Sequence, residues 1–159
     1  MHDCLVSASA DFCECCAAPR CRDAGCQLSL PTGGGVRRIL SGSAIQRNHG
    51  HMSKLCDFLF FACRRPRDVA CAIELKNGKF DLAKVAEQLQ AGADLVNSLA
   101  VSPNAVSFYP ILVHSRGMTA IARKVIATRR IRYGNSEYRI LTAKCGSSLA
   151  DVVPVQNST

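Results

Sequence analysis

Two apolar runs, "LCDFLFFAC" at 55–63 and "VACAIELK" at 69–76, are separated only by the charged stretch "RRPRD". Each is strand-length, rich in β-branched or aromatic residues, and too short to read as a buried helix. The charged turn between them fits an antiparallel hairpin of buried strands. The acids and base within the runs therefore stand out: Asp57 in the first, Glu74 and Lys76 in the second.

The remainder fits around this pair. "VRRILSG" at 36–42 reads as a short strand and "SAIQRNHGHMS" at 43–53 as a loop. In "FDLAKVAEQLQAGADLVNSLA", Leu82, Val85, Leu89, Val96 and Leu99 fall on one stripe, with Ala93 between them, and predict an amphipathic helix. Asp81 is its N-cap candidate, and Gly92 weakens its middle. "AVSFYPILVHS" at 105–115 predicts a strand whose Pro110 implies an edge or a bulge. "MTAIARKVIATRR" predicts a basic helix, and "IRYGNSEYRILTAKC" a hairpin turning at Gly134-Asn135. The order strand, strand, helix, strand, helix, hairpin predicts a mixed α/β domain over 31–159. Residues 1–30 form a separate Cys-rich N-terminal segment, with "PTGGG" at 31–35 as the junction.

Alternation along a strand places Glu74 and Lys76 on one face, with Leu75 on the other. Hairpin pairing brings Asp57 toward the same end. Two carboxylates buried together are costly unless a cation joins them, and Mg²⁺ is the oxygen-seeking candidate. A Lys beside such an ion can orient a water or stabilise a phosphate's developing charge. The competing reading is a salt bridge between Glu74 and Lys76, with Asp57 exposed at a strand end.

With "CDFLFF", "IELK" and a following helix containing "EQLQAG", the chain resembles the PD-(D/E)XK nuclease superfamily over about residues 36–115. The resemblance implies a restriction-endonuclease-like mixed sheet flanked by helices. It implies Mg²⁺ or Mn²⁺ held by Asp57, Glu74 and the backbone carbonyl of Leu75, with Lys76 serving the attacking water. It further implies a polar residue from the helix, Gln88 first and Gln90 second. The activity implied is hydrolysis of phosphodiester bonds in DNA, with RNA not set aside, in restriction or anti-phage defence. A homodimer or a partner subunit of a larger system goes with the small size of the domain. The alternative is a non-catalytic nucleic-acid-binding or regulatory protein that keeps the fold.

The charge distribution agrees with a polyanionic partner. Residues 1–100 carry 12 Lys/Arg and 10 Asp/Glu, whereas residues 101–159 carry 8 and 2. Arg123, Lys124, Arg129, Arg130 and Arg132 are the expected contacts to a phosphate backbone, a solvated helix face being the other reading. No apolar run is long enough to span a bilayer, and no secretory pattern opens the chain. A cytoplasmic protein with reduced thiols is expected.

The chain has 10 cysteines. Cys56, Cys63 and Cys71 lie in apolar runs and read as small core residues. Cys13, Cys16, Cys21 and Cys26 are spaced C-x2-C-x4-C-x4-C, similar to a zinc knuckle, which makes Zn²⁺ a candidate there. A thiol-rich segment with Cys26 inside the core is the competing reading. Cys145 is expected as a strand-end thiol that could join this group. His49 and His51, in "NHGH", are expected to be solvated.

Overall fold

The computed structural model describes residues 5–15, 20–31, 36–50, 54–115 and 117–153, with the side chains at 5 and 13–15 left out. In chain order the elements are α1 (Leu5–Ala8), a 3₁₀ stretch (Ala10–Cys15), β1 (Arg20–Asp23), β2 (Cys26–Ser29), β3 (Arg37–Ser41) and α2 (Gly42–His49). There follow β4 (Phe58–Ala62), β5 (Asp68–Lys76), α3 (Leu82–Leu99), a 3₁₀ turn (Pro103–Ala105) and β6 (Val106–His114). The chain continues through α4 (Ala120–Thr128), β7 (Arg130–Tyr133), β8 (Ser136–Arg139), β9 (Leu141–Lys144) and α5 (Leu149–Val152).

The two apolar runs pair as their composition demands. β4 and β5 are antiparallel, with Phe58 opposite Ile73 and Ala62 opposite Val69. They lie inside a five-stranded sheet ordered β3-β4-β5-β6-β9. β3, β4 and β5 form an antiparallel meander, whereas β5, β6 and β9 run parallel. The domain is therefore mixed α/β, with a sheet covered on both faces.

Alternation splits the sheet between two cores. Leu40, Leu59, Phe61, Ala70, Ala72, Phe108 and Leu112 face Val85, Leu89 and Val96 of α3, Ile45 of α2 and Ile131 and Tyr133 of β7. On the other face Ile39, Phe60, Cys71, Ile73, Ile111 and Val113 meet Cys21, Cys26 and Leu28 of the β1–β2 hairpin and Leu149 of α5. Burying such apolar surface is the main stabilising term, at about 25 cal/mol per Å². Residues 20–29 thus belong to the core: Ser29 also bridges to Ser148, and Asn77 Nδ2 donates to the Ala24 carbonyl at 2.7 Å.

α3 forms where its apolar stripe predicts. The Asp81 carboxylate accepts from Ala83 N at 2.8 Å, which caps the helix. Gly92 is the point of closest approach to the sheet: a Cβ there would sit 2.7 Å from Cys56 Sγ and 3.0 Å from Ala72 Cβ.

Two expectations change. The stretch read as a loop at 43–53 contains α2, capped by Ser41, whose hydroxyl accepts from Ala44 N at 3.3 Å. Gly50 closes it at φ 68. Only Gly42 and Ile45 of this helix are buried, so it carries no stripe for periodicity to detect. The β7–β8 hairpin forms with Gly134-Asn135 at its turn, but β9 leaves it and joins the main sheet beside β6.

The thiols also differ from expectation. Cys56 and Cys71 are buried free thiols as expected, while Cys26 is bonded to Cys145 and Cys63 is also disulfide-bonded. The Cys26–Cys145 bond joins β2 to the end of β9 across 119 residues, a separation over which sequence spacing carries no pairing signal.

Candidate functional site

β4 ends its ladder with β5 at Phe58, so β5 projects beyond it by three residues, Glu74, Leu75 and Lys76. Asp57 lies just before β4 and occupies the place where the ladder would have continued. Its carboxylate Oδ2 accepts from Leu75 N at 2.8 Å. The backbone N–H of Asp57 donates to Glu74 Oε2 at 3.1 Å. A side chain and a backbone amide of one residue thus replace the missing strand partner.

Helix α2 holds Asp57 there. Gly42, at its start, donates its N–H to the Asp57 carbonyl at 2.8 Å. A Cβ at position 42 would run into the Cys56 carbonyl oxygen. Glycine is required at this position for close backbone approach.

Glu74 is fully buried, and Lys76 reaches it from the partly exposed strand end, Nζ to Oε1 at 2.5 Å. Oε1 is thus a buried carboxylate oxygen whose partner is the Lys76 ammonium. Burial pushes Glu74 up to about 7, and the charge of Asp57 adds to the rise. Lys76 and the Asp57 amide oppose it. Burial also raises Asp57; the Leu75 amide pulls it down, the charge of Asp23 adds to the rise, and Lys76 opposes it. Cys56 is pushed upward by burial and then by Glu74, and Cys21 is pushed up to about 12 by burial and then by Asp57.

The donors at this strand end suit a hard cation. Asp57 and Glu74 supply two carboxylates. A residue in a strand directs its N–H and C=O to the same side, so the Leu75 carbonyl points where its N–H meets Asp57. Among the described residues no group of three or more His, Cys, Asp or Glu side chains could hold a metal. Mg²⁺ does not need three, since it is commonly bound by one or two carboxylates with waters and phosphate oxygens. The residues present therefore fit Mg²⁺ or Mn²⁺.

Gln88 is half-buried and lies one helical turn before Gly92, which rests against Ala72. α3 follows β5 and packs along it, so this turn lies toward the Glu74 end of the strand. Gln90 is occupied elsewhere: its amide donates to the Arg132 carbonyl at 2.8 Å and its oxygen accepts from Arg132 N at 2.9 Å, which clamps α3 to β7. It is not available as a second choice for the site.

His114 was not singled out by sequence reasoning. It is buried, and it stands in register with Lys76 on the neighbouring strand. Registered neighbours in a parallel pair share a face, so His114 flanks the lysine. The only signal was its position at the end of "PILVH". The Ser115 hydroxyl donates to Asn77 Oδ1 at 2.7 Å, and Ser115 N donates to the Lys76 carbonyl at 3.0 Å, fixing the same end.

Arg123, Lys124, Arg129, Arg130 and Arg132 are all exposed, on α4, β7 and the residue between them. They lie on the side of the sheet that carries α3, and Arg130 spends one guanidinium nitrogen on the carbonyls of Ala127 and Arg129. For the zinc arrangement, Cys16 and the Cys13 side chain lie outside the described residues. Cys21 is a buried thiol, and Cys26 is bonded to Cys145, so Cys26 has no thiolate to offer a metal in this form. His49 is partly buried, its ring 4.6 Å from that of Phe12, and His51 lies outside the described residues. Among the described residues no helix is long and apolar enough to cross a membrane.

Comparison with family models, characterised proteins and solved structures returns no match. The chemistry is therefore argued from the arrangement of Asp57, Glu74 and Lys76 alone.

Proposed function

We propose that the protein is a Mg²⁺-dependent nuclease of the restriction-endonuclease-like type, hydrolysing phosphodiester bonds in DNA. One observation carries the reading: at the open end of β5 the Glu74 carboxylate accepts from Asp57 N and the Asp57 carboxylate accepts from Leu75 N, with Lys76 beside them.

Asp57, Glu74 and the Leu75 carbonyl would hold the ion. When bound, it supplies Lewis-acid polarisation of a phosphate oxygen and a more acidic water. Lys76 then turns from a counter-ion of Glu74 into a cation for the phosphate and its attacking water. Gln88 orients that water or the phosphate from α3. The exposed basic side chains of α4 and β7 neutralise the nucleic-acid backbone without reading its sequence. Restriction or anti-phage defence, and work as a dimer or with a partner subunit, belong to this proposal. Zn²⁺ at the N-terminal cysteines plays no role in this mechanism, and Cys26, bonded to Cys145, would ligate a metal only with that bond open. A cytoplasmic setting also belongs to it, and it requires the fold to survive with that disulfide open.

The second reading is a nucleic-acid-binding protein without turnover. The Glu74–Lys76 pair favours it, since the lysine already compensates the buried charge. Supercoiled plasmid incubated with and without Mg²⁺ separates the two. Nicking by the wild type that is lost in Asp57→Ala and Lys76→Ala supports the nuclease. Salt-sensitive binding with equal, background nicking in all three proteins supports the second reading.

A further inference from the structure

β6 is nine residues long, yet β9 pairs only with Ile111–His114. Over Val106–Pro110 the strand has β5 on one side and, among the described residues, no strand on the other. A cavity of about 320 Å³, open to solvent, lies at that place, lined by Arg67, Ser107, Phe108, Tyr109, Tyr138 and Arg139 among others.

The strand's orientation identifies the groups that face it. Ser115 donates to Lys76 on β5, and His114 accepts from Cys145 beyond β9. Even-numbered residues of β6 therefore turn their backbone toward the β9 side. Phe108 presents both its N–H and its C=O to the cavity. Pro110 faces the same way, so its missing donor falls where no strand would receive it. This is how a proline is accommodated in a strand whose far half is internal to the sheet.

An added β-strand is poorly served here, since Phe108 is the one residue of this stretch whose N–H and C=O both stand open; the Val106 N–H is already given to the Pro103 carbonyl. The side chains suit another ligand. The side chains of Arg67 and Arg139, both exposed, form no ion pair or hydrogen bond with any described residue. Two uncompensated guanidinium groups at one cavity call for an anion, and Arg is the residue best matched to phosphate. Tyr109 and Tyr138 are half-buried aromatic surfaces, with Tyr138 held edge-on to Phe108 at 5.8 Å. Rings of this kind are platforms for a stacked base.

We propose that this cavity binds a nucleotide, its phosphate between Arg67 and Arg139, its base against Tyr109 or Tyr138, and a polar edge on the Phe108 backbone. The site is separate from the carboxylates: Phe108 and His114 are six residues apart on β6, roughly 20 Å along a strand. The assignment does not rest on the nuclease reading. Its ligand is either a free nucleotide or one nucleotide of a single strand.

The test uses the full chain in EDTA, which removes any metal-dependent cleavage. Binding of AMP and of ATP is measured by equilibrium dialysis, and binding of a labelled single-stranded oligonucleotide by fluorescence anisotropy. The wild type binds at least one of these saturably, and an Arg67→Ala/Arg139→Ala double variant weakens it about tenfold or more. Arg47→Ala, an exposed arginine on α2, leaves it unchanged. Mononucleotide binding marks a free-nucleotide site, and binding of the oligonucleotide alone marks a strand subsite; either upholds the proposal. Absence of binding to all three, or equal losses in the double variant and in Arg47→Ala, overturns it.

Discussion

Asp57 and Glu74 are each bound to the other's strand: the Asp57 amide donates to the Glu74 carboxylate at 3.1 Å, and the Asp57 carboxylate accepts from Leu75 N at 2.8 Å. The arrangement keeps two acids together where β4 stops and β5 continues. It satisfies backbone groups that would otherwise be unpaired at the end of the ladder. It also leaves the pair short of positive charge, with Lys76 as its nearest compensation.

The raised Glu74 makes stability depend on pH. Its ordinary value is 4.5 and burial carries it to about 7 in the folded chain. Between those limits the folded state holds a proton that the unfolded state has released, so stability falls as pH rises through the window. Urea midpoints without metal are expected to be higher at pH 5 than at pH 7.5, and Glu74→Gln is expected to flatten the difference. A midpoint that rises over this range in the wild type contradicts the assignment.

If the carboxylates hold Mg²⁺ as proposed, adding the ion is expected to reverse part of this trend. A cation at the carboxylates favours the ionised Glu74, so binding releases a proton near neutral pH. Calorimetry in buffers of different ionisation enthalpy is expected to show proton release at pH 6.5 and much less at pH 8.5.

Position 42 tests how Asp57 is held. Gly42→Ala places a methyl group against the Cys56 carbonyl, and overpacking of this kind costs about 1–3 kcal/mol. Gly92→Ala similarly pushes α3 from Cys56 and Ala72. Both variants are expected to lower the urea midpoint, whereas Gly117→Ala, where a Cβ meets nothing, is expected to leave it unchanged.

The Cys26–Cys145 bond closes a loop of 119 residues. Cys26→Ser with Cys145→Ser is expected to cost about 2–4 kcal/mol, and reduction, which opens the Cys63 bond as well, at least as much. The reduced protein is expected to keep its circular-dichroism spectrum, because both faces of the sheet retain their apolar cover. Loss of the spectrum on reduction would set aside a cytoplasmic setting.

The legible parts of this chain were those whose signal is local. "FLFFA" and "VACAIELK" could only be buried strands, and the Leu82–Leu99 stripe could only be an amphipathic helix, so the frame around Asp57, Glu74 and Lys76 followed. Helix α2 escaped notice because Ile45 is its one buried large apolar side chain. β9 escaped because a hairpin signal says nothing about which sheet receives the next strand. The Cys26–Cys145 bond, the Gln90 clamp and the place of His114 are consequences of tertiary packing, and no local pattern encodes them.

The central claim is that Asp57 and Glu74 together grip a divalent ion, and titration with Mn²⁺ followed by the electron paramagnetic resonance of the free ion tests it most directly. The wild type is expected to remove Mn²⁺ saturably, at about one ion per chain, with Asp57→Ala and Glu74→Gln each abolishing the uptake and Mg²⁺ competing for it. Uptake that is absent in the wild type, or unchanged in both variants, contradicts the claim.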